Sequence, residues 1–283
     1  MYQLIADSGS TKTDWALINN KNKEIIRIKT IGFNPYFQDS EYIHSILSQA
    51  FSDLAIDFKD VINIYYYGAG CSTSENKEVV KMALAKLFSN SSIEVYHDLI
   101  AAARATFGKS DGIACILGTG SNSCVWENEL EIANIESHGY IFGDEGSGSH
   151  LGIQLIQLYL SGNLDEKIKV QFDEEFNISK KEILYKTYRA QNPNVFLASF
   201  AKFYQQFLHE PQLRTIILNE FEKFFQKRII PYKDYQKYEV GFVGSISFFY
   251  NEILQEIANK HSIKISKITR CPIDELIKYH SIQ

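Results

Sequence analysis

The chain has 283 residues, which at about 100–200 residues per domain indicates two domains or one large one. Hydrophobic residues make up 45% of the sequence and charged residues 22%, which is ordinary for a globular protein with a sizeable buried core. The net charge of −5 argues against a nucleic-acid partner, because nucleic-acid-binding proteins normally carry an excess of basic residues.

The N-terminal residues contain no basic stretch followed by an apolar run, and nowhere in the chain do about 18 apolar residues follow one another. We therefore predict neither a signal peptide nor a membrane span. The four cysteines are far apart and form no CxxC pair, so we expect reduced thiols and a cytoplasmic protein.

A weak internal repeat organises the predicted strands. Each copy predicts a strand, a turn rich in glycine and hydroxyl side chains, a second strand, a short turn and a third strand. The predicted strands of the first copy are 3–9, 14–18 and 24–28, and those of the second are 112–118, 124–126 and 130–135. We expect each copy to open one mixed α/β layer, and the two layers to face each other across a cleft.

The remaining elements follow from apolar periodicity. The first copy is followed by a predicted helix over 41–57, a strand over 61–67, a helix over 76–88 and a strand over 92–96. The second half predicts helices over 149–160, 180–189, 195–209, 213–228, 248–261 and 273–279, with a strand over 238–243. We assign an N-terminal, sugar-side lobe to residues 1–108, with a C-terminal helix over 272–283 returning to it, and a nucleotide-side lobe to 109–271.

The first turn follows Asp7, at the end of a strand, and contains Gly9, Thr11 and Lys12. It exposes backbone N–H groups and hydroxyls together, as an anionic phosphate requires, and Lys12 adds a positive charge. Asp7 is a candidate for holding Mg²⁺ through water. A plain polar hairpin turn is an equally open interpretation of this segment alone.

The second turn, Gly118-Thr-Gly-Ser-Asn-Ser123, repeats the composition of the first. Two such turns at matching places in a duplicated architecture favour the binding of one polyphosphate by both. A third turn, Gly244-Ser245, follows the strand predicted over 238–243 and suits contact with the adenosine part of a nucleotide, although any strand–helix turn can carry Gly–Ser.

Two acidic positions point to ligand chemistry. Asp144 and Glu145 lie between glycines where a loop enters a helix. A carboxylate there can accept hydrogen bonds from the hydroxyl groups of a ligand. The alternative is that the pair is only an acidic helix N-terminus. Asp98 follows a predicted strand, where α/β sheets place catalytic groups. Phosphoryl transfer to an alcohol needs a carboxylate that accepts the hydroxyl proton, and the alternative for Asp98 is a helix cap.

The runs DSGSTKTDW, GTGSNS, GDEGS and VGSIS occur in this order, and the sequence resembles the BadF/BadG/BcrA/BcrD-type ATPases, among them the N-acetylglucosamine kinase group. The likeness covers nearly the whole chain. It implies the α/β, two-lobed actin/hexokinase/Hsp70-like (duplicated ribonuclease H-like) fold with ATP bound between two lobes. It also implies ATP and Mg²⁺ as cofactors, an amino sugar phosphorylated at its 6-hydroxyl, and a homodimer.

The resemblance also implies individual roles. Thr11 and Thr119 contact the phosphates of ATP, and Asp98 is the base. The nucleotide-binding positions are Asp7, Gly9, Thr11, Lys12, Gly118, Thr119, Gly120, Gly244 and Ser245. The substrate-binding positions are Asn34, Ser121, Asn122, His138, Gly139 and Asp144. His138 and Gly139 fall where the animal enzyme has Trp-Gly, so an aromatic wall is absent and the N-acetyl preference is left open.

Three other functions compete with a kinase. Dehydratase activators of the same superfamily need a cysteine in a run that here reads Ile116-Leu-Gly-Thr-Gly, with Cys115 on the strand, so their iron–sulfur ligand is absent. An ATP-binding regulator stays open, because ATP-binding motifs do not distinguish it from a kinase. A plain ATPase is disfavoured by the presence of Asn34, Asp98 and Asn122. The identity of the amino sugar also stays open, since close analogues differ by one or two groups.

Overall fold

The computed structural model describes residues 1–281, which form two compact units. The first unit comprises Met1–Gly108 and the described residues from Pro272 onward, and the second comprises Lys109–Cys271. The last two residues of the helix predicted over 272–283 lie outside the described residues. Among residues 1–281, no helix combines the length and apolar character needed to cross a bilayer.

The first unit is built on a five-stranded sheet with the order β3-β2-β1-β4-β5. Its strands are β1 (Tyr2–Ser8), β2 (Lys12–Asn19), β3 (Ile25–Ile31), β4 (Val61–Gly68) and β5 (Ser92–His97). The first three pair antiparallel, whereas β4 and β5 run parallel to β1. Its helices are α1 (Ser40–Phe51), α2 (Ser74–Leu87), α3 (Asp98–Thr106) and the last helix of the described chain, α12 (Ile273–Ser281).

The second unit repeats this topology. Its strands are β6 (Gly112–Leu117), β7 (Ser121–Glu127), β8 (Leu130–Asn134), β9 (Val240–Val243) and β10 (Ile265–Thr269). The order is β10-β9-β6-β7-β8, with β6 antiparallel to β7 and parallel to β9. Its helices are α4 (Gly139–Phe142), α5 (Gly148–Ser161), α6 (Glu166–Phe176), α7 (Lys180–Tyr188), α8 (Pro193–Ser199), α9 (Pro211–Arg228), α10 (Ser245–Phe249) and α11 (Asn251–Lys260). The repeat seen in the sequence is therefore a repeat of sheet topology.

The core of the first unit forms around Trp15, which is fully buried on β2, a strand between β1 and β3. Its indole packs edge-on against Phe51 of α1, with ring centroids 5.4 Å apart, and its N–H donates to Thr30 Oγ1. The strand β3 lies at the sheet edge and alternates exposed and half-buried residues, as expected for a strand with one solvated face. Burial of the aromatic side chains thus fixes α1 against the sheet.

The core of the second unit is rich in phenylalanine. Phe172 of α6 lies with its ring centroid 5.8 Å from that of Phe200 and 5.7 Å from that of Phe203. Phe200 and Phe203 belong to a 3₁₀ helix over Phe200–Phe207, in which residues three apart share one face. The single helix predicted over 195–209 is therefore wrong: it divides into α8 and this 3₁₀ segment.

Other boundaries also differ from the sequence predictions. The helix predicted over 41–57 ends at Phe51, and the helix predicted over 248–261 is interrupted at Tyr250, whose O–H donates to the Ala201 carbonyl. The strand predicted over 238–243 begins at Val240, because the backbone N–H of Tyr238 closes the preceding 3₁₀ helix by donating to the Tyr235 carbonyl at 3.1 Å. The sequence reading missed α6 and β10.

The helix α12 buries His280 beside two tyrosines of β4. The imidazole Nε2 lies 2.7 Å from Tyr67 Oη, and the ring stacks on Tyr65 with centroids 3.8 Å apart. Arg104 of α3 donates to the same Tyr67 oxygen at 2.6 Å, so the tyrosine proton is directed at the imidazole. Burial first, and the nearby Arg104 charge second, lower the pKa of His280 from its ordinary value of 6.5 to about 4.

This pKa predicts a pH-dependent stability. Below pH 6.5 the unfolded state takes up a proton that folded His280 refuses until about pH 4, so stability is present above 6.5 and is lost as the pH falls. Between pH 6.5 and 4, the free energy of unfolding of the wild type should fall as the pH is lowered. In His280→Gln this fall should be smaller by up to ~3 kcal/mol, as measured by urea denaturation at each pH. His209→Gln, at a side chain that is 77% exposed, should keep the wild-type slope. Parallel curves for wild type and His280→Gln would contradict the prediction.

Candidate active site

The turn between β1 and β2 is hydrogen-bonded and buried at its base and exposed to solvent at its tip. At the base, the hydroxyls of Ser8 and Thr13 lie 2.7 Å apart, and both residues are fully buried. At the tip, the Gly9 N–H donates to the Lys12 carbonyl at 3.0 Å, and Thr11 and Lys12 are exposed. The buried hydroxyls are therefore structural, and the predicted phosphate contacts lie on the exposed part of the turn.

The backbone of Gly32, which follows β3, packs directly against the backbone of the turn. A Cβ atom at Gly32 would lie 2.1 Å from the Gly9 carbonyl oxygen and 2.8 Å from the Thr11 backbone nitrogen. The Phe33 N–H next to it donates to Ser8 Oγ at 3.2 Å. Only glycine therefore permits this approach of two backbones, and the approach sets where the turn lies.

The loop after β3 presents Asn34. Its backbone N–H donates to Gln38 Oε1 at 2.8 Å, and its Oδ1 accepts from the Tyr36 N–H at 3.1 Å. The side chain packs on the backbone of Gly70, where a Cβ atom would lie 2.5 Å from Asn34 Oδ1. Within residues 1–281, Nδ2 of Asn34 makes no hydrogen bond, so the amide group can donate to a ligand.

Asp98 lies at the same end of the strands as the turn and the Asn34 loop. Ser8 pairs with Gly68 and Gly68 with His97, so β1, β4 and β5 end side by side. Asp98 follows at once as the first residue of α3 and is half-buried. Burial, followed by the Asp98 charge, raises the pKa of the Cys71 thiol to about 12.

A second carboxylate, Asp14, faces Asp7 across the hairpin. The two residues are opposite each other in the register of β1 and β2, and an oxygen of one lies within 4.8 Å of an oxygen of the other. Lys12 forms an ion pair with Asp14. Oxygen donors of this kind fit Mg²⁺. The sequence analysis named only Asp7, and the register of the hairpin identifies Asp14 as its partner.

In the second unit, the three glycine-containing turns pack on one another. The Gly148 N–H donates to the Gly118 carbonyl at 2.8 Å, and the Ser149 N–H to the Thr119 carbonyl at 3.1 Å. At Gly244, with φ of +131°, a Cβ atom would lie 2.1 Å from the Leu117 carbonyl oxygen. The sequence contains no indication that these turns are neighbours, but they meet where β6 and β9 end. Ser245 is the first residue of α10.

The predicted sugar-binding residues of this unit differ in exposure. Ser121 is buried, and its hydroxyl donates to the Glu145 carbonyl at 2.7 Å. Asn122 is half-buried, and its Oδ1 accepts the Ser123 N–H at 2.9 Å. His138 and Gly139 are exposed in the segment before α5. Of this group, Asn122 and His138 therefore offer side chains to a ligand, and Ser121 mainly organises the turn.

The acidic pair has two different roles. Asp144, in a left-handed conformation with φ of +60°, accepts the Ser121 N–H at 3.2 Å and the Ser137 hydroxyl through Oδ1. Glu145 is 4% exposed and pairs with Arg228. Burial would raise the pKa of Glu145, but hydrogen bonds from Lys227 and Arg228 outweigh it and lower the pKa to about 2. Of the two carboxylates, that of Glu145 is engaged within the protein, and Asp144 stays the predicted ligand contact.

The chain closely matches a protein of known structure over its full length. A candidate N-acetylglucosamine kinase from Porphyromonas gingivalis is 36% identical, the match covers 99% of each chain, and the TM-score is 0.91. The chain belongs to the N-acetylglucosamine kinase-like family that this protein represents. No protein-family profile matches the chain.

Two further comparisons show how much of the chain matches a curated kinase and which fold the chain has. The N-acetylmuramic acid/N-acetylglucosamine kinase of Clostridium acetobutylicum is 24% identical over 163 residues, which are 56% of this chain and 53% of that one. The chain thus matches about half the length of this curated relative. MreB 5 of Spiroplasma citri shares the fold with a TM-score of 0.59 at 11% identity, covering 99% of this chain and 95% of its own. The predicted actin/hexokinase-like α/β fold is therefore confirmed.

Proposed function

We propose that this protein is an ATP-dependent kinase that phosphorylates an amino sugar, with N-acetylglucosamine as the substrate and its 6-hydroxyl as the acceptor. The observation that carries the proposal is the 36% identity, over 99% of both chains, to a candidate N-acetylglucosamine kinase. The curated relative named for N-acetylmuramic acid and N-acetylglucosamine supports the same substrate class. We also assign the family to the BadF/BadG/BcrA/BcrD-type ATPases, on the order of its four motifs.

In the proposed reaction, Asp98 is the general base. The 6-oxygen of the sugar forms a bond to the γ-phosphorus of ATP, and the bond from that phosphorus to the β–γ bridging oxygen breaks. ADP leaves, and the hydroxyl proton passes to the Asp98 carboxylate. Its place after β5 and its partial exposure suit this role. Orientation of the hydroxyl supplies much of the rate, because phosphoryl transfer depends largely on positioning.

The nucleotide contacts are assigned to the glycine turns. We propose that Thr11 and Thr119 bind the phosphates with their neighbouring backbone N–H groups, and that Lys12 adds charge. The remaining proposed nucleotide contacts are Gly9, Gly118, Gly120, Gly244 and Ser245. Mg²⁺, when bound, neutralises phosphate charge, and Asp7 with Asp14 is the oxygen pair that would hold it through water.

The sugar contacts are assigned residue by residue. We propose that the Asn34 amide, Asn122 and Asp144 bind sugar hydroxyl or amide groups, with Ser121 holding the turn and His138 and Gly139 bordering the site. Asn34 is the strongest of these assignments, because its Nδ2 makes no hydrogen bond in the described chain. A homodimer and a cytoplasmic location stay predictions from the sequence.

The function is tested by measuring coupled ADP release with N-acetylglucosamine, glucosamine, N-acetylmannosamine and N-acetylmuramic acid, each with ATP and Mg²⁺. We expect release that depends on N-acetylglucosamine, with 6-phosphorylated sugar as product by mass spectrometry and NMR. Asn34→Ala should raise the KM for the sugar by about tenfold and leave the KM for ATP within twofold. Sugar-independent hydrolysis, or ATP binding without any release, would instead identify an ATPase or a regulator.

A further inference from the structure

Arg228, the last residue of α9, occupies a position that the motifs did not identify. It is 4% exposed, and its guanidinium is surrounded by acceptors. Nε and Nη2 donate to Glu145 Oε2 at 3.1 and 2.8 Å, and Nη1 donates to the carbonyls of Ile135, at 3.1 Å, and Glu136. One buried side chain therefore bonds to both ends of the segment 135–145.

The segment held in this way carries three of the proposed substrate contacts, namely His138, Gly139 and Asp144. Its middle is the short helix α4, which ends with the Gly143 N–H donating to the Gly139 carbonyl at 2.7 Å. A Cβ atom at Gly143 would lie 2.9 Å from Arg228 Nη2 and 2.7 Å from the His138 nitrogen. The guanidinium thus lies directly beneath the segment and spaces its two ends.

The segment is in turn bonded to the turn after β6. Asp144 Oδ1 accepts the Ser121 N–H, and the carbonyl of Glu145 accepts the Ser121 hydroxyl. The Ser123 hydroxyl, one residue beyond Asn122, donates to the carbonyl of Arg228 itself. Hydrogen bonds therefore link Arg228 to three residues assigned to the sugar, namely Asp144, Ser121 and, through Ser123, Asn122.

We propose that Arg228 is a positioning residue for the amino-sugar site: it fixes the spacing of Ile135–Glu136 and Glu145 and thereby orients Asp144, Ser121 and Asn122. The proposal rests on the proposed function for its substrate and extends it to a residue outside the motifs. It requires arginine, because a planar fork of donors satisfies a carboxylate on one side and two carbonyls on another, which a single ammonium group cannot do.

The decisive variant is Arg228→Lys. It keeps a cation beside buried Glu145, so the chain should still fold, whereas complete removal of the charge would leave this carboxylate with only the exposed Lys227 as a charged partner. We expect the KM for N-acetylglucosamine to rise about tenfold while kcat stays within about threefold, because the site is displaced and the base is untouched. The matched control is Lys227→Met, which removes the exposed partner of the same carboxylate and should change KM by less than about twofold.

A second readout is independent of catalysis. In Arg228→Lys, amide hydrogen exchange over residues 118–123 and 136–148 should become about tenfold faster, while α6 keeps its wild-type protection. A purely structural role predicts a smaller active fraction, which lowers the apparent kcat and leaves KM unchanged; that result would overturn the proposal. Unchanged exchange in both segments would also overturn it.

The two readouts separate this proposal from the proposed function. If wild type phosphorylates no sugar, the kinase assignment fails, but the exchange comparison still tests whether Arg228 positions the two segments. If wild type is a kinase and Arg228→Lys has wild-type KM values and wild-type exchange, the positioning role alone is wrong.

Discussion

Replacing Asp98 by asparagine is expected to lower the turnover number of the sugar-phosphorylation reaction about 10³-fold. General-base catalysis contributes about 10²–10⁴-fold, and an amide of the same shape cannot take up the hydroxyl proton. Asparagine is compatible with the first turn of α3, so the fold should be kept. Steady-state kinetics gives the turnover number, and calorimetric titration with ADP should give a dissociation constant within about twofold of wild type.

The matched control for this variant is Asp39→Asn. Asp39 is exposed and caps α1 by accepting the Tyr42 N–H at 2.8 Å, and asparagine caps a helix equally well. The control should have wild-type turnover. A turnover number for Asp98→Asn within a few-fold of wild type would show that another group accepts the proton.

Gly32→Ala is expected to have the second largest effect. The added methyl group would be 2.1 Å from the Gly9 carbonyl oxygen and 2.7 Å from the Ser10 carbonyl carbon, and backbone atoms can yield only if the whole turn moves. We expect the free energy of unfolding to fall by about 3 kcal/mol and the KM for ATP to rise more than about tenfold. Urea denaturation and steady-state kinetics measure the two effects.

Gly9→Ala is the steric control, because it adds a methyl group to the same turn with its nearest atom 3.9 Å away. Its free energy of unfolding should stay within about 1 kcal/mol of wild type. Equal loss of stability in the two variants would show that the close approach at Gly32 is not what sets the turn.

The sequence and the structure agree best where the signal is local. A strand, a hydroxyl-bearing glycine turn and a second strand are written within a few residues, so both hairpins could be predicted, and so could the position of Asp98 after β5. The boundaries failed where packing decides. Phe200 and Phe203 adopt 3₁₀ geometry against Phe172, and Tyr250 interrupts a helix to reach the Ala201 carbonyl.

The site shows the same division. Asp7 was identified from its turn, whereas Asp14 required the register of the hairpin. The sequence predicts one ligand-binding carboxylate in the pair Asp144 and Glu145, but it does not show that Glu145 is buried against Arg228, 83 residues further along the chain. No spacing rule connects residues so far apart, since only the folded chain brings them together.

By itself, the sequence determined the duplicated α/β topology and the turns and acidic residues that carry the proposed chemistry, because short-range patterns of apolar residues, glycine and hydroxyls encode them. The tertiary structure alone decided which polar groups face solvent and which are buried and hydrogen-bonded within the protein. Ser121, Glu145 and Arg228 belong to the buried group. The physical reason is that burying a charge or hydroxyl requires a partner, and that partner is chosen by packing between distant segments.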